Sequence, residues 1–181
     1  MNITTIFEPI LTIFSSLWYL IPLLIFNLIL RSPWFKGWIG EFTINFSTKW
    51  LLDKDKYHLI KNVMLPTKDG ATQIDHIIVS VFGVFVVETK NMKGWIYGCP
   101  NQSTWTQKIY KHTQKFQNPL RQNYKHVKTL ETLLGLSHQQ IYSVIVFTGN
   151  SVFKTKMPDN VTYGRGYAHY IKSKTTTVLS K

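Results

Sequence analysis

The chain reads as an α/β domain, a mixed β-sheet flanked by helices, preceded by one N-terminal transmembrane helix. Three stretches predict this. Residues 72–90, TQIDHIIVSVFGVFVVETK, are two runs of β-formers joined at Gly83. Residues 118–135 open on Asn-Pro, close on Gly and carry a helical apolar pattern, with an apolar strand after them at 142–148. Residues 10–30 are almost wholly apolar and hold no formal charge.

That apolar run comes first in the chain. At about 1.5 Å per residue it matches the roughly 30 Å hydrocarbon thickness of a bilayer. A cleaved signal peptide would want a basic start and a small-residue cleavage site. The start MNITTIFE has no basic side chain and the exit reads LRSPW, so the segment is expected to be an uncleaved anchor. Arg31 and Lys36 follow it, and Glu8 is the charged side chain ahead of it. The positive-inside rule then makes the protein single-pass, with its C-terminal domain cytoplasmic. The expected division is 1–36 as membrane anchor and 37–181 as the domain. Trp34 and Trp38 suit either an interfacial aromatic belt or core packing.

Residues 40–52 predict a helix with Phe42, Phe46 and Trp50 on one side. Glu41 in its first turn has two readings: a carboxylate favoured by the helix dipole, or an acid turned to the sheet edge. Residues 57–65 predict a strand and 66–70 a turn, in which Asp69 is a turn former. The hairpin follows. Pairing of Ser80 with Gly83 would put Asp75 opposite Glu88, on one side of the sheet. A one-residue shift would separate the two acids. Lys90, two residues after Glu88, shares its face. Asp75 is expected beside Gln73, Ile77 and Val79, whereas His76 joins Ile74 and Ile78 as a buried, hydrogen-bonded histidine.

Paired carboxylates among apolar strands repel unless a positive group lies between them. A divalent cation with oxygen ligands is one remedy and Lys90 is another. Downstream, 95–97 predicts a short strand, and Trp105 closes a polar loop. The helix from Asn118 is expected to bury Leu120, Tyr124, Val127, Leu130 and Leu134. Arg121, Lys125 and Lys128 form a basic stripe beside that face, with Gln122 and His126 beyond it. Short elements are expected at 161–163 and 168–172.

Lysine and arginine outnumber aspartate and glutamate by 21 to 9, a formal charge of +12. This favours polyanionic partners, nucleic acid or acidic lipid. The single Cys99, between Gly98 and Pro100, excludes an internal disulfide and fits a turn residue. No aromatic stacking stripe or base-reading motif is legible.

One set of residues is more specific. Gly40-Glu41, Gln73-Ile74-Asp75-His76, Gly83 through Glu88-Thr89-Lys90, Gly94-Trp95, Trp105, Asn118-Pro119, Gln122, His126 and Val146-Phe147 occur in this order. In this the chain resembles the nuclease-related domain (NERD) family of the PD-(D/E)xK nuclease superfamily, over about residues 40–149. The resemblance implies a restriction-endonuclease-like mixed sheet core and metal-dependent phosphodiester hydrolysis with little sequence specificity. It implies Mg²⁺ or Mn²⁺ on Asp75 and Glu88, with the Thr89 carbonyl as a further ligand. Glu41 would be an outer or second-metal ligand, Lys90 would hold the water or the developing charge, and Gln122 would orient substrate. Arg121, Lys125 and Lys128 would meet the nucleic-acid backbone, with DNA the expected form. Membrane lipid is the second expected partner, through the N-terminal helix. The ending TTTVLSK lacks the final helix expected of the family, so the chain is read as stopping early. Two rival readings keep the basic surface without catalysis: a membrane-tethered nucleic-acid-binding or scaffolding module, and a lipid-surface adaptor.

Overall fold

The computed structural model describes residues 12, 15–67 and 70–180. The chain divides into two compact units, 1–38 and 39–181.

In the first unit, helix α1 (Leu20–Arg31) buries none of its residues. Among the described residues, the expected single helix over 10–30 is interrupted ahead of Leu20. The hydroxyls of Ser15 and Ser16 both donate to the Thr12 carbonyl, at 3.0 and 2.7 Å. A turn at 17–19 follows, and the 12 residues of α1 rise only ~18 Å. Among the described residues, no helix is long and apolar enough to cross a membrane. Residues 10, 11, 13 and 14 of the expected span lie outside the described ones. Ser32 is extended, as a residue before proline must be, and its Oγ accepts from the Phe35 amide at 3.2 Å. It thereby caps helix α2 (Pro33–Leu51), which starts seven residues before the expected 40 (40 − 33). Trp34 and Trp38 are exposed, so core packing is not their role.

The second unit holds two sheets. The first has the order β1-β2-β3-β7-β9, from β1 (His58–Thr67), β2 (Gly70–Ser80), β3 (Gly83–Lys90), β7 (Ile141–Phe147) and β9 (Val161–Tyr163). The second has the order β6-β5-β4-β8, from β4 (Gly94–Tyr97), β5 (Thr104–Ile109), β6 (His112–Gln117) and β8 (Ser151–Phe153). Helix α3 (Pro119–Leu134) leads into β7, which pairs parallel to β3, and α4 (Gly166–Lys172) closes the described elements. Lys68 and Asp69 of the expected turn lie outside the described residues.

β3 is buried from Gly83 to Glu88 because it is central and covered on both faces. Phe85 and Val87 pack with Ile44 of α2 and Tyr167 and Ile171 of α4. Val84 and Val86 pack with Val127 and Leu130 of α3. A near-continuous apolar run is what two-sided burial demands. Gly83 sits at φ +132°, and a Cβ there would lie 2.9 Å from the Gln140 carbonyl, so glycine is required at this corner.

The aromatic row Phe42, Phe46 and Trp50 does lie along one side of α2, but it faces outward. The buried residues of that helix are Gly40, Ile44 and Thr48. On α3 the core face is also rotated from the expected one. Pro119, Asn123, His126, Val127 and Leu130 are buried, while Tyr124 and Leu134 are exposed. The polar Asn123 and His126 go inward because each finds partners there. Asn123 donates to the Val86 carbonyl and to Ser143 Oγ, at 2.8 and 2.9 Å. The expected cap is present: Asn118 Oδ1 accepts from the Leu120 amide at 2.9 Å, and Gly135 closes the helix at φ +64°.

The polar loop that Trp105 was expected to close is present at 98–103, and it opens into a β5–β6 hairpin that the sequence did not predict. Its turn is Tyr110-Lys111, with Tyr110 left-handed at φ +51°. That conformation usually announces itself with Gly, Asn or Asp, and here it does not. Trp105 is fully buried on β5 and its Nε1 donates to the Cys99 carbonyl at 3.0 Å.

Candidate active site

The hairpin register is the expected even one. Ser80 pairs with Gly83, and the ladder runs to His76 opposite Val87. It stops one step before Asp75 and Glu88. On the other side of β2 the ladder to β1 also skips Asp75, at the point where Asn62 takes φ +51°. Asp75 is therefore unpaired along both flanks of its strand.

The strand also inverts its faces there. His76 Nε2 meets Asn45 Oδ1 on α2 at 3.1 Å, yet Thr72, an even number of residues earlier, meets His126 Nδ1 on α3 at 3.1 Å. Strict alternation would put both residues on one side. Likewise Ile74 packs in the α3-side core with Ile77, not with Ile78 as expected. The irregularity gives Asp75 a special place: its Oδ2 accepts from the Thr89 amide at 3.0 Å. A carboxylate has replaced a main-chain partner where β2 leaves β3.

Glu88 lies on the α3 side and is 3% exposed. Its Oε1 accepts from Lys90 Nζ at 2.6 Å, and Lys90 donates again to Gln122 Oε1 at 2.9 Å. Glu88 Oε2 lies 3.5 Å from His126 Nε2. That contact is too long for a formed hydrogen bond, and its effect is electrostatic. If Thr72 donates to Nδ1, the proton of His126 sits on Nε2 and is directed at Glu88. His76 is buried and hydrogen-bonded as expected. Burial and Lys61 push its pKa down to about 4, against the Glu41 carbonyl and Glu88, so it is neutral.

The two carboxylates are unlike. Burial raises Glu88, but His126 and Lys90 outweigh it and hold the acid below its usual range. Asp75 is pushed up to about 6 by burial and then by the Glu88 charge. The Thr89 amide and Lys90 oppose this, and Glu41 adds to it. Glu41 itself is raised by burial. It reaches the site from α2, which comes close because Gly40 has no side chain. A Cβ on Gly40 would sit 3.1–3.2 Å from Asn91, Thr148 and Thr89.

Asp75, Glu88, Thr89, Lys90 and Gln122 thus meet at the C-terminal end of β3, with Glu41 within electrostatic reach. Arg121, Lys125 and Lys128 are exposed on α3 and make no hydrogen bond or ion pair with these acids. Arg121 donates to the Asn101 carbonyl at 2.8 Å, and Lys128 pairs with Glu131. Thr72 was missed from the sequence, and His126 was marked there as part of the family pattern without a role in the site. Asn123, Val127 and Leu130 at helical spacing around His126 were the available signal.

Hard oxygen donors, among them an Asp75 raised by burial and by the Glu88 charge, fit a hard divalent cation. Among the described residues no group of three His, Cys, Asp or Glu side chains could hold a metal ion. The set here is two carboxylates, and Mg²⁺ commonly takes one or two and keeps several waters.

Comparison with known proteins bears on the same stretch. The family described as nuclease-related domain matches residues 36–148. An uncharacterized protein of Bacillus anthracis is 47% identical over 103 residues, covering 56% of this chain and 48% of its own length. The chain therefore spans about half the length of the curated relative it matches. No solved structure matches the chain.

Proposed function

Because the chain belongs to the nuclease-related domain family, we propose that it is a divalent-metal-dependent nuclease that hydrolyses nucleic-acid phosphodiester bonds with little sequence specificity. The observation that carries this reading is the linked set Asp75, Glu88, Lys90 and Gln122 at one strand end.

A phosphodiester is shielded by its own negative charge. Mg²⁺ or Mn²⁺ on Asp75 and Glu88, with the Thr89 carbonyl, would neutralise that charge and lower the pKa of a bound water. Lys90 would set its ammonium against the negative charge that develops on the phosphoryl oxygens. Gln122 holds that ammonium at 2.9 Å and so fixes its direction. Glu41, within electrostatic reach of Asp75, would serve as an outer or second-metal ligand. His126 and Thr72 hold Glu88 in place from α3 and β2. Water adds across the P–O bond, leaving a phosphate monoester and a hydroxyl. DNA is the proposed substrate form.

A second reading has its own support. Both Glu88 oxygens already face cationic or donor groups, Lys90 and His126. Such a site can be self-satisfied, and the protein would then be a non-catalytic nucleic-acid-binding or scaffolding module. We further propose that the segment 1–36 contacts membrane lipid and keeps the domain on the cytoplasmic side. The exposed apolar residues of α1, with Arg31 and Lys36 after them, support this.

The test is nicking of plasmid DNA by the full chain with Mg²⁺, with Mn²⁺ and with chelator. Asp75→Ala, Glu88→Ala and Lys90→Ala should each reduce cleavage by at least ~100-fold. Folded variants that cut as fast as the parent would eliminate the mechanism.

A further inference from the structure

The second sheet has one covered face and one open face. Ile96 and Trp105 point into the core with Phe147, and Phe116 and Phe153 pack against that cluster. On the opposite face, cross-strand pairing puts Val152, Trp95, Lys108 and Thr113 in one row. Trp95 is 45% exposed and Tyr110 is 93% exposed. A cavity of about 420 Å³ lies here, lined by Lys93, Trp95, Lys108, Ile109, Tyr110 and Asn150. Lys154 Nζ sits 4.6 Å from the Trp95 ring centroid, so a cation and a π face are presented together. The surrounding sequence has no acid anywhere between Glu88 and Glu131, whereas Lys93, Lys108, Lys111 and Lys115 all fall there. The sequence showed no stacking stripe because Trp95 lies on β4 and Tyr110 in the β5–β6 turn, 15 residues apart.

We propose that this face binds single-stranded nucleic acid, with an unpaired base stacked in the Trp95–Tyr110 cavity and phosphates on Lys93 and Lys108. Three things favour this occupant. Exposed rings can stack only on bases that are not paired. A lysine-rich, acid-free surface is complementary to a phosphate chain. And the cavity adjoins the carboxylate site, since Lys93 is three residues beyond Lys90 and three extended residues span at most ~11 Å. Gly94, the residue after Lys93, sits at φ +82° and tucks against the Lys108 carbonyl, so β4 starts there. A strand crossing this face would be delivered to the end of β3. Only that last step rests on the nuclease reading, because the binding face stands without it.

The experiment uses the full chain in chelator, so that binding is read without cleavage. The probes are fluorescent twelve-mers of deoxythymidine and of uridine, a blunt duplex of equal length, and phosphatidylcholine–phosphatidylserine vesicles. The single strands should bind ~10-fold tighter than the duplex. Trp95→Ala should weaken them ~10-fold, and Trp95→Phe should keep most of the affinity. Lys108→Glu should weaken binding and flatten its salt dependence by roughly 0.7 in the log–log slope, one phosphate contact fewer. Cleavage by Asp75→Asn bears on the nuclease reading alone. The proposal is overturned if folded Trp95→Ala and Lys108→Glu bind single strands like the parent. It is equally overturned if the duplex binds as well as the single strands, or if these variants lose vesicle binding and not oligonucleotide binding.

Discussion

The two sheets handle charge in opposite ways. At the end of β3, Glu88 and Asp75 are withdrawn from water and answered by named partners: Lys90, the His126 ring and the Thr89 amide. On the outer face of the second sheet, Lys93 and Lys108 stay solvated beside Trp95 and Tyr110. Buried charges act at short range and are hardly screened, whereas surface charges fade within about 10 Å in 0.1 M salt. The first arrangement suits chemistry at one atom, and the second suits capture of a flexible chain.

Salt should break this comparison most visibly. Glu88→Gln should lower cleavage by at least ~100-fold at both low and high salt, because its neighbours are not screened. The effect of Lys108→Glu on binding should shrink as salt rises. Cleavage rates and binding titrations at two ionic strengths read this directly, and equal salt dependence of the two variants would sink the distinction.

Stability should move in the other direction at Asp75. Its folded pKa of about 6 lies above the unfolded value of 3.8, so the folded state binds more protons between those limits. Stability is therefore present at low pH and lost as pH rises through about 6. At pH 7 the ionised acid costs on the order of 1–3 kcal/mol, and Asp75→Asn, which keeps an acceptor for the Thr89 amide, should raise Tm by several degrees. Near pH 4 that gain should vanish. Mg²⁺ or Mn²⁺ should raise the Tm of the parent at pH 7 and not that of the variant. A variant no more stable than the parent at pH 7 would mean that Asp75 is not destabilised by its neighbours.

The smallest effect is expected at Gly40. Gly40→Ala would bring a Cβ to 3.1 Å from Asn91 and Thr148 and push α2 off the sheet by a few tenths of an ångström. We expect ~1 kcal/mol of lost stability and a larger proportional loss of cleavage, because Glu41 moves with the helix. Chemical denaturation and activity on the same sample separate the two.

Much of this was written in local pattern. The β-formers around Gly83, the even register from Ser80–Gly83, the Asn118 cap and the Gly135 stop depend on neighbours a few residues apart, and such signals survive in a linear chain. Lys90 beside Glu88 follows from the same short-range alternation. The outward turn of Phe42, Phe46 and Trp50 does not, because apolar spacing gives a face without saying which face meets the sheet. Nor does the inward turn of His126, which needs Thr72 from a strand 54 residues away. The β5–β6 hairpin escaped because its left-handed turn residue is tyrosine.

The amino-acid order alone determined which family the domain joins, where β2 and β3 pair, and which acids stand near the strand end. Only the folded chain decided how Asp75 is used. Its strand switches faces at that residue, both ladders let go of it, and the side chain takes an amide that the backbone left unclaimed. The reason is physical: alternation is a property of an undistorted strand, and a distortion set by contacts from three other elements leaves no mark in the sequence of one.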